Sequence, residues 1–398
     1  MIERRNLRYT MFGLLYFAQG AILSYFTALN ALYLLSYDLT MSQVGIFSAI
    51  ALTPFVLKIL LGMVSDKVNL LGQGHRKPYI ILGLLTQAVC LFLVPFIHPG
   101  RYFELLAFVA FVLMSGMALY DTCTDGLALD TTPPAEEGKV QGIMVGGRAL
   151  GVVTISAALG LLAQLASWTA AFWTLGAITL LPLIFVFQVR EPPRPAERAF
   201  EWRAFGAFRR WPVIALALLG ALYSLVINGA NEIVNPFLQD QFGIDYLTAG
   251  LYTAMWGAGV VLGGLTGGRL VDRVGHKRAA TGALILSLLA ILALALITSP
   301  LMAWPIVLIF GLAFGYYETV YFATSMAFTD ARIAASMFAI LMAIANIGTG
   351  VGFAAGGTFV DSIGYRPTFV LIGCLNLLAL PLLPAIFRRK QASEASPA

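Results

Sequence analysis

The chain has 398 residues, 59% of them hydrophobic and 11% charged, with a mean hydropathy of +0.83. Soluble domains carry roughly 25% charged residues, so this composition excludes an ordinary soluble fold and points to a polytopic membrane protein. The net charge of +5 does not mark a nucleic-acid partner, because the basic residues fall in short loops between apolar segments, where membrane orientation accounts for them.

The chain starts basic, "MIERRNLRYT", and turns apolar as far as about Leu35. That run outlasts the roughly 7–15 residues of a signal-peptide core, so it reads as a retained first helix. A bilayer core needs about 20 apolar residues per helix. Twelve segments qualify, at roughly 8–35, 43–65, 78–98, 104–132, 140–164, 167–189, 212–239, 246–270, 279–299, 301–329, 333–358 and 364–387. The fifth and sixth are parted by little more than "ASW". The longest connection, "REPPRPAERAFEWRAFGAFRR", is rich in Pro and charge and falls at the midpoint. Its "AFEWRAFGAF" part fits a short interfacial amphipathic helix. The expected fold is an all-α membrane protein with twelve transmembrane helices in two six-helix bundles. These are residues 1–189 and 212–390, with a cytoplasmic linker at 190–211 and a tail at 391–398.

With both termini in the cytoplasm, Arg4, Arg5, Arg8, Lys67, Arg76, Lys77, Lys139, Arg273, Lys277, Arg278, Arg332, Arg388, Arg389 and Lys390 all lie inside. The external loops keep only Arg101 and Arg366, as the positive-inside rule requires. The expected location is the inner (cytoplasmic) membrane.

The loop after the second span, "GMVSDKVNLLGQGHRKP", has a counterpart after the eighth, "GRLVDRVGHKR". In both, Gly precedes Asp by four residues, as Gly62–Asp66 and Gly268–Asp272, and a basic residue follows, Lys67 or Arg273. Both end in Gly-His and two basic residues, with Arg76 in one and Lys277 in the other. Asp130 and Asp330 close the fourth and tenth spans at a similar offset. Such spacing argues for an internal repeat of half the chain. The glycines permit close helix approach, and the basic clusters meet anionic headgroups.

This paired pattern resembles motif A of the major facilitator superfamily, the C-terminal copy nearly residue for residue. The N-terminal copy departs by an insertion of about "NLLGQ". The resemblance implies a transporter with a central cavity lined mainly by helices 1, 4, 7 and 10. It also implies alternating access by rocking of two halves. The strings "LLYFAQG", "TPFVLKIL", "YDTCTDG" and "PAEEGKVQGIMVGGRALG" resemble the branch of AmpG-type muropeptide permeases, acetyl-CoA transporters and folate–biopterin transporters. That branch pairs Asp-x-x-x-Asp in helix 4 with an Arg in helix 5 and a Lys in helix 2, matching Asp121, Asp125, Arg148 and Lys58. Gly126 stands where the branch often has Ala. "GHRKPYIILG" and "DGLALDTTPPAEE" also resemble PucC-like assembly proteins, which makes an assembly factor without transport the alternative function.

An ionisable group inside a spanning helix is costly unless paired or hydrated, and is a functional candidate by default. At ~1.5 Å per residue, Asp121 lies about 16 Å and Asp125 about 10 Å from the inner end of the fourth span. Four residues apart, they share a face. Lys58 and Arg148 fall at similar depth. Two readings stand open. The four charges form a structural cluster, or Asp121 carries a coupling proton while Lys58 or Arg148 receives an anionic group. Glu318 in "FGYYETVYF", among Tyr316, Tyr317 and Tyr321, is a second proton candidate, and Asp125 and Glu232 complete that set. Asn228, Asn231, Glu232 and Asn235 form one polar stripe on the seventh span. Gln19, Tyr25 and Asn30 in the first span and Asn346 in "IANIGTGVGFAAGG" are weaker substrate candidates, beside Tyr16. The glycines of that last stretch read as packing and hinge positions.

Cys90, Cys123 and Cys374 are scattered, and the three histidines sit apart, so neither disulfide nor metal is expected. No P-loop or catalytic triad stands in the chain, so no cofactor and no enzymatic activity are expected. Concentrative transport must then draw on a proton or sodium gradient. The expected function is a secondary active transporter working by proton-coupled symport, and Lys58 and Arg148 suggest an anionic or zwitterionic substrate. Its expected partners are a small organic anionic or zwitterionic solute, the ion gradient and membrane lipids, and its expected state is a monomer. The resemblance also implies a Gly-Pro pair in helix 5 for the family's drug antiporters, and its lack here makes an exporter or antiporter a weaker alternative.

Overall fold

The computed structural model describes residues 5–70, 74–133, 136–188, 202–328 and 334–387. Most of the linker, Asp330, Arg332, Arg388, Arg389, Lys390 and the tail lie outside them, as do the side chains of Arg5, Asp66 and Lys67.

The twelve expected segments are all helical. The first is α1 (Arg5–Ala28) and α2 (Asn30–Leu35), the second α3 (Met41–Val56) and α4 (Lys58–Lys67), and the third α5 (Lys77–Leu93). Next come α6 (Phe103–Thr131) and α7 (Glu137–Leu165), then α8 (Trp168–Leu180) with α9 (Leu183–Val186). The second half holds α10 (Trp211–Phe242), α11 (Tyr246–Val274), α12 (His276–Ala295), α13 (Pro300–Phe328), α14 (Ala334–Ile363) and α15 (Tyr365–Leu375), the last continued by turns and a helix at 382–387. The short α7–α8 link is a genuine helix boundary: Ser167 Oγ accepts from the Ala170 amide at 3.1 Å and caps α8. Pro54 sits inside α3, removes a backbone donor, and the helix breaks at Leu57, just before Lys58. Gly364, at φ 82°, is the whole link between α14 and α15, a conformation any Cβ would strain. Of the "AFEWRAFGAF" stretch, residues 199–201 lie outside the described residues, and the remainder belongs to a 3-10 helix over Trp202–Arg209.

Eleven of these segments are long and apolar enough to cross a membrane among the described residues. The twelfth, α11, is long enough at 29 residues but is diluted by seven glycines. Those glycines buy close approach, since a Cβ on Gly259 or Gly263 would stand 2.3 or 2.0 Å from a carbonyl oxygen of α13.

The contacts divide the chain into two compact units. One is Met1–Leu39, Ile50–Ala199 and Gly243–Ala254; the other is Thr40–Ala49, Phe200–Phe242 and Met255–Ala398. Each sequence half thus lends the other the first turns of one helix, α3 or α11.

In the first unit α1 and α7 cross backbone to backbone. A Cβ on Gly20 would lie 2.1 Å from the Arg148 carbonyl oxygen, and one on Gly151 2.4 Å from that of Phe17. The start of α11 docks on α7 in the same way, through Gly160 and Gly250. In the second unit α10 and α14 repeat the arrangement, Gly348 against Ala221 and Gly352 against Leu225. The start of α3 docks on α14 through Gly45 and Gly357. These contacts explain the glycine-rich run in α14.

Candidate functional site

In the first unit two helices bring their charges together and a third adds neutral hydrogen-bond partners. Asp121 on α6 is buried, ion-pairs with Lys58 Nζ from α4, and accepts from Gln19 Nε2 of α1 at 2.8 Å. Lys58 Nζ also reaches Asp125 Oδ2 at 3.4 Å, and the Tyr16 hydroxyl of α1 donates to Asp125 Oδ1. The i, i+4 spacing of the aspartates on one helical face lets a single ammonium bridge both. The break at Leu57 starts α4 at Lys58, at the level of the two acids. The carboxylates differ in access: the Asp121 side chain is 7% exposed and that of Asp125 41%.

Arg148 does not join this cluster. It is half-buried on α7, near enough to Tyr16 to act on it electrostatically, yet makes no hydrogen bond or ion pair among the described residues. Lys58 is therefore committed and Arg148 is uncommitted. Gln19 adds a buried amide oxygen, Oε1, with no hydrogen-bond donor among the described residues.

The same unit gathers two arginines at the end of its helices where α1 begins and α6 stops. Arg76 is buried, donates to Ser65 Oγ at 3.0 Å and pairs with Asp130 through Nε at 3.4 Å. Gly126 makes room for it. Arg8, also buried, pairs with Glu136 and donates to the Thr131 carbonyl at 3.2 Å. Gly62 lies against Thr122, where a Cβ would meet the methyl at 3.2 Å. The second unit's copy of the motif differs: Asp272, Arg273 and Lys277 are exposed, and Gly268 is loosely packed on Thr319.

In the second unit Glu232 is buried on α10 and accepts from Ser48 Oγ of α3 at 2.5 Å, with no basic partner among the described residues. Asn228 Nδ2 donates to the Ser224 carbonyl at 3.0 Å and to Thr349 Oγ1 at 3.2 Å, tying α10 to α14. Asn235 is buried, whereas Asn231 is half-exposed and makes no hydrogen bond among the described residues. Tyr317 and Tyr321 are buried against Tyr223, ring centroids 4.6 and 5.4 Å apart, and form a packed layer beside the half-buried Glu318. Asn346 is half-buried on α14.

Two first-span candidates stand apart from the charges. Tyr25 is buried edge-to-face on Phe172 at 5.0 Å, and Asn30 is fully buried where α1 gives way to α2. Sequence reasoning missed Ser48 and Thr349, and ranked Tyr16 low. Each acquires its role from a helix distant in the chain, and no local pattern signals it.

The family model of the Major Facilitator Superfamily matches residues 11–338 and 233–398. The chain belongs to the Major Facilitator Superfamily. Within it, the anhydromuropeptide permease of Escherichia coli strain K12 is 24% identical over 370 residues, 89% of this chain and 74% of that one. A probable folate-biopterin transporter of Arabidopsis thaliana is 27% identical over 197 residues, 48% of this chain and 44% of that one. The fold matches the crystal structure of a bacterial homolog of the human lysosomal transporter Spinster. The TM-score is 0.83 at 20% identity, over 99% of each chain. The protein is thus a multi-pass membrane transporter of the major facilitator fold.

Proposed function

We propose that this major facilitator transporter imports a small organic anion or zwitterion across the inner membrane by alternating access, with one proton entering per anionic charge. Arg148 receives the anionic group and Asp125 carries the proton. One observation carries this reading: Lys58 is neutralised by two carboxylates, while Arg148 has none.

The charge arithmetic supports coupling. Asp121, Asp125 and Lys58 sum to −1, and Arg148 brings the group to neutral. An anion on Arg148 leaves one negative charge in excess, which is costly at this depth. A proton on a carboxylate removes it. Asp125 is the better carrier than Asp121, because it is more exposed and more distant from Lys58. Glu232 is a second protonatable group, held by one neutral donor. Both termini lie in the cytoplasm by the basic-residue asymmetry, and the working unit is a monomer.

Folate and anhydromuropeptide, the solutes named for the two relatives, are suitable probes, and both carry carboxylates. In proteoliposomes with an imposed pH gradient, the native protein should accumulate one of them. Asp125→Asn should lose accumulation but retain exchange, and Arg148→Gln should lose both. Accumulation by Asp125→Asn at the native level overturns the proton assignment. Accumulation that follows a sodium gradient instead assigns the same carboxylates to sodium.

A further inference from the structure

Outside the charged cluster the second unit carries a cleft of about 750 Å³ lined by Arg209, Arg210, Trp211, Pro212, Pro381, Pro384 and Ala385. It lies where α10 begins and where the helix at 382–387 ends the last span. Both arginines are exposed, and neither guanidinium makes a hydrogen bond or ion pair among the described residues. No acidic residue lines the cleft. Pro381, Pro384 and Ala385 of the last span complete its lining with short apolar side chains. Trp211 is 57% exposed beside the guanidiniums, and Phe205 is 49% exposed on the 3-10 helix that leads in.

Two unpaired guanidiniums and an open tryptophan at the end of a spanning helix have a chemical complement. Guanidinium binds phosphate oxygens in forked pairs. Tryptophan favours the level of the headgroups, where one edge is apolar and the other wet. The first turn of α10 adds the positive end of its helix dipole. We propose that this cleft is a binding site for the headgroup of an anionic phospholipid. Arg209 and Arg210 hold the phosphate, and Trp211 packs against the glycerol shoulder. The site shares no residue with the charged cluster on α4 and α6 and does not depend on the transport reading.

A general basic surface would attract the same lipids, and the second unit supplies an internal control. Arg273 and Arg278 are exposed around the α11–α12 link and line no part of the cleft. Purified full-length protein would be incubated with phosphatidylglycerol, with phosphatidylcholine or with inorganic phosphate, and bound lipid counted by native mass spectrometry. The expected result is retention of phosphatidylglycerol over phosphatidylcholine. The double variant Arg209→Gln/Arg210→Gln should reduce it at least fivefold, and Arg273→Gln/Arg278→Gln, which removes the same charge from a basic loop that itself meets headgroups, should reduce it by clearly less. Equal losses in both variants would show diffuse surface attraction and overturn the site. Competition by millimolar inorganic phosphate would assign the cleft to a soluble phosphate ligand, and equal retention of both lipids would also overturn it.

Discussion

The Arg76 guanidinium lies directly against the α-carbon of Gly126. A Cβ at position 126 would stand 2.5 Å from Arg76 Cζ and from Nε, inside any tolerable contact. Arg76 is buried there with Ser65 and Asp130, so it has little room to retreat. Gly126→Ala should therefore displace the guanidinium and lower stability by about 1–3 kcal/mol. A thermal unfolding scan in detergent tests this. A melting temperature equal to native would mean that the arginine repacks without cost.

The two membrane cations should respond differently to removal. Lys58→Met strands Asp121 and Asp125 beside each other. That should cost roughly 1–3 kcal/mol, toward the low end of the range for buried pairs because Lys58 is 31% exposed. Arg148→Met breaks no pair and should melt within about 0.5 kcal/mol of native. Combining Lys58→Met with Asp121→Asn should recover part of the loss. Equal destabilisation by the two single substitutions would contradict the division into a committed and an uncommitted cation.

Among the described residues Glu232 has one side-chain donor, Ser48. Glu232→Gln retains an acceptor for that hydroxyl and removes a buried charge, so it should be neutral or mildly stabilising. Ser48→Ala leaves the carboxyl without its partner and should cost about 1–3 kcal/mol. The order of melting temperatures is the measurement, and the reverse order would sink the assignment.

Two helices that pass from one unit to the other are capped by aspartates of different origin. Asp361, at the end of α14, accepts from the Met41 and Ser42 amides of α3 at 3.1 and 2.7 Å. Asp361→Ala should cost about 0.5–2 kcal/mol through the lost cap and its charge on the helix dipole. Partial retention is expected in Asp361→Asn, read as a smaller drop in melting temperature.

Asp245 caps α11 through the Thr248 amide at 2.8 Å and accepts from Gln164 Nε2 of α7 at 3.0 Å. The Thr248 hydrogen bonds hold its carboxyl below the ordinary value of 3.8. A depressed value means the stabilisation is fully present above 3.8 and is lost as pH falls through the lower folded value. Because the group is largely solvated, the effect is under about 1 kcal/mol. The melting gap between native protein and Asp245→Asn should be present at pH 7 and shrink steadily below pH 4. A gap that widens on acidification would refute the cap.

The sequence by itself determined the membrane class, the twelve helical segments, the repeat and the family. Each follows from local signals: apolar runs of bilayer length, glycine and proline at helix breaks, and a motif written twice. It also determined that Asp121 and Asp125 share a face and that Lys58 and Arg148 lie near their depth, because helical rise and spacing are fixed by backbone geometry. It could not rank the two cations. Depth is a one-dimensional coordinate, whereas ion pairing depends on which helices adjoin and how each is rotated. Only the tertiary structure gave Lys58 to both aspartates, left Arg148 uncommitted, set Gly126 beneath Arg76 and put Ser48 on Glu232. The crossing of α3 and α11 between units was likewise invisible in the sequence. The glycines that permit it look, one chain at a time, like any others; their need appears only when a second backbone comes within touching distance.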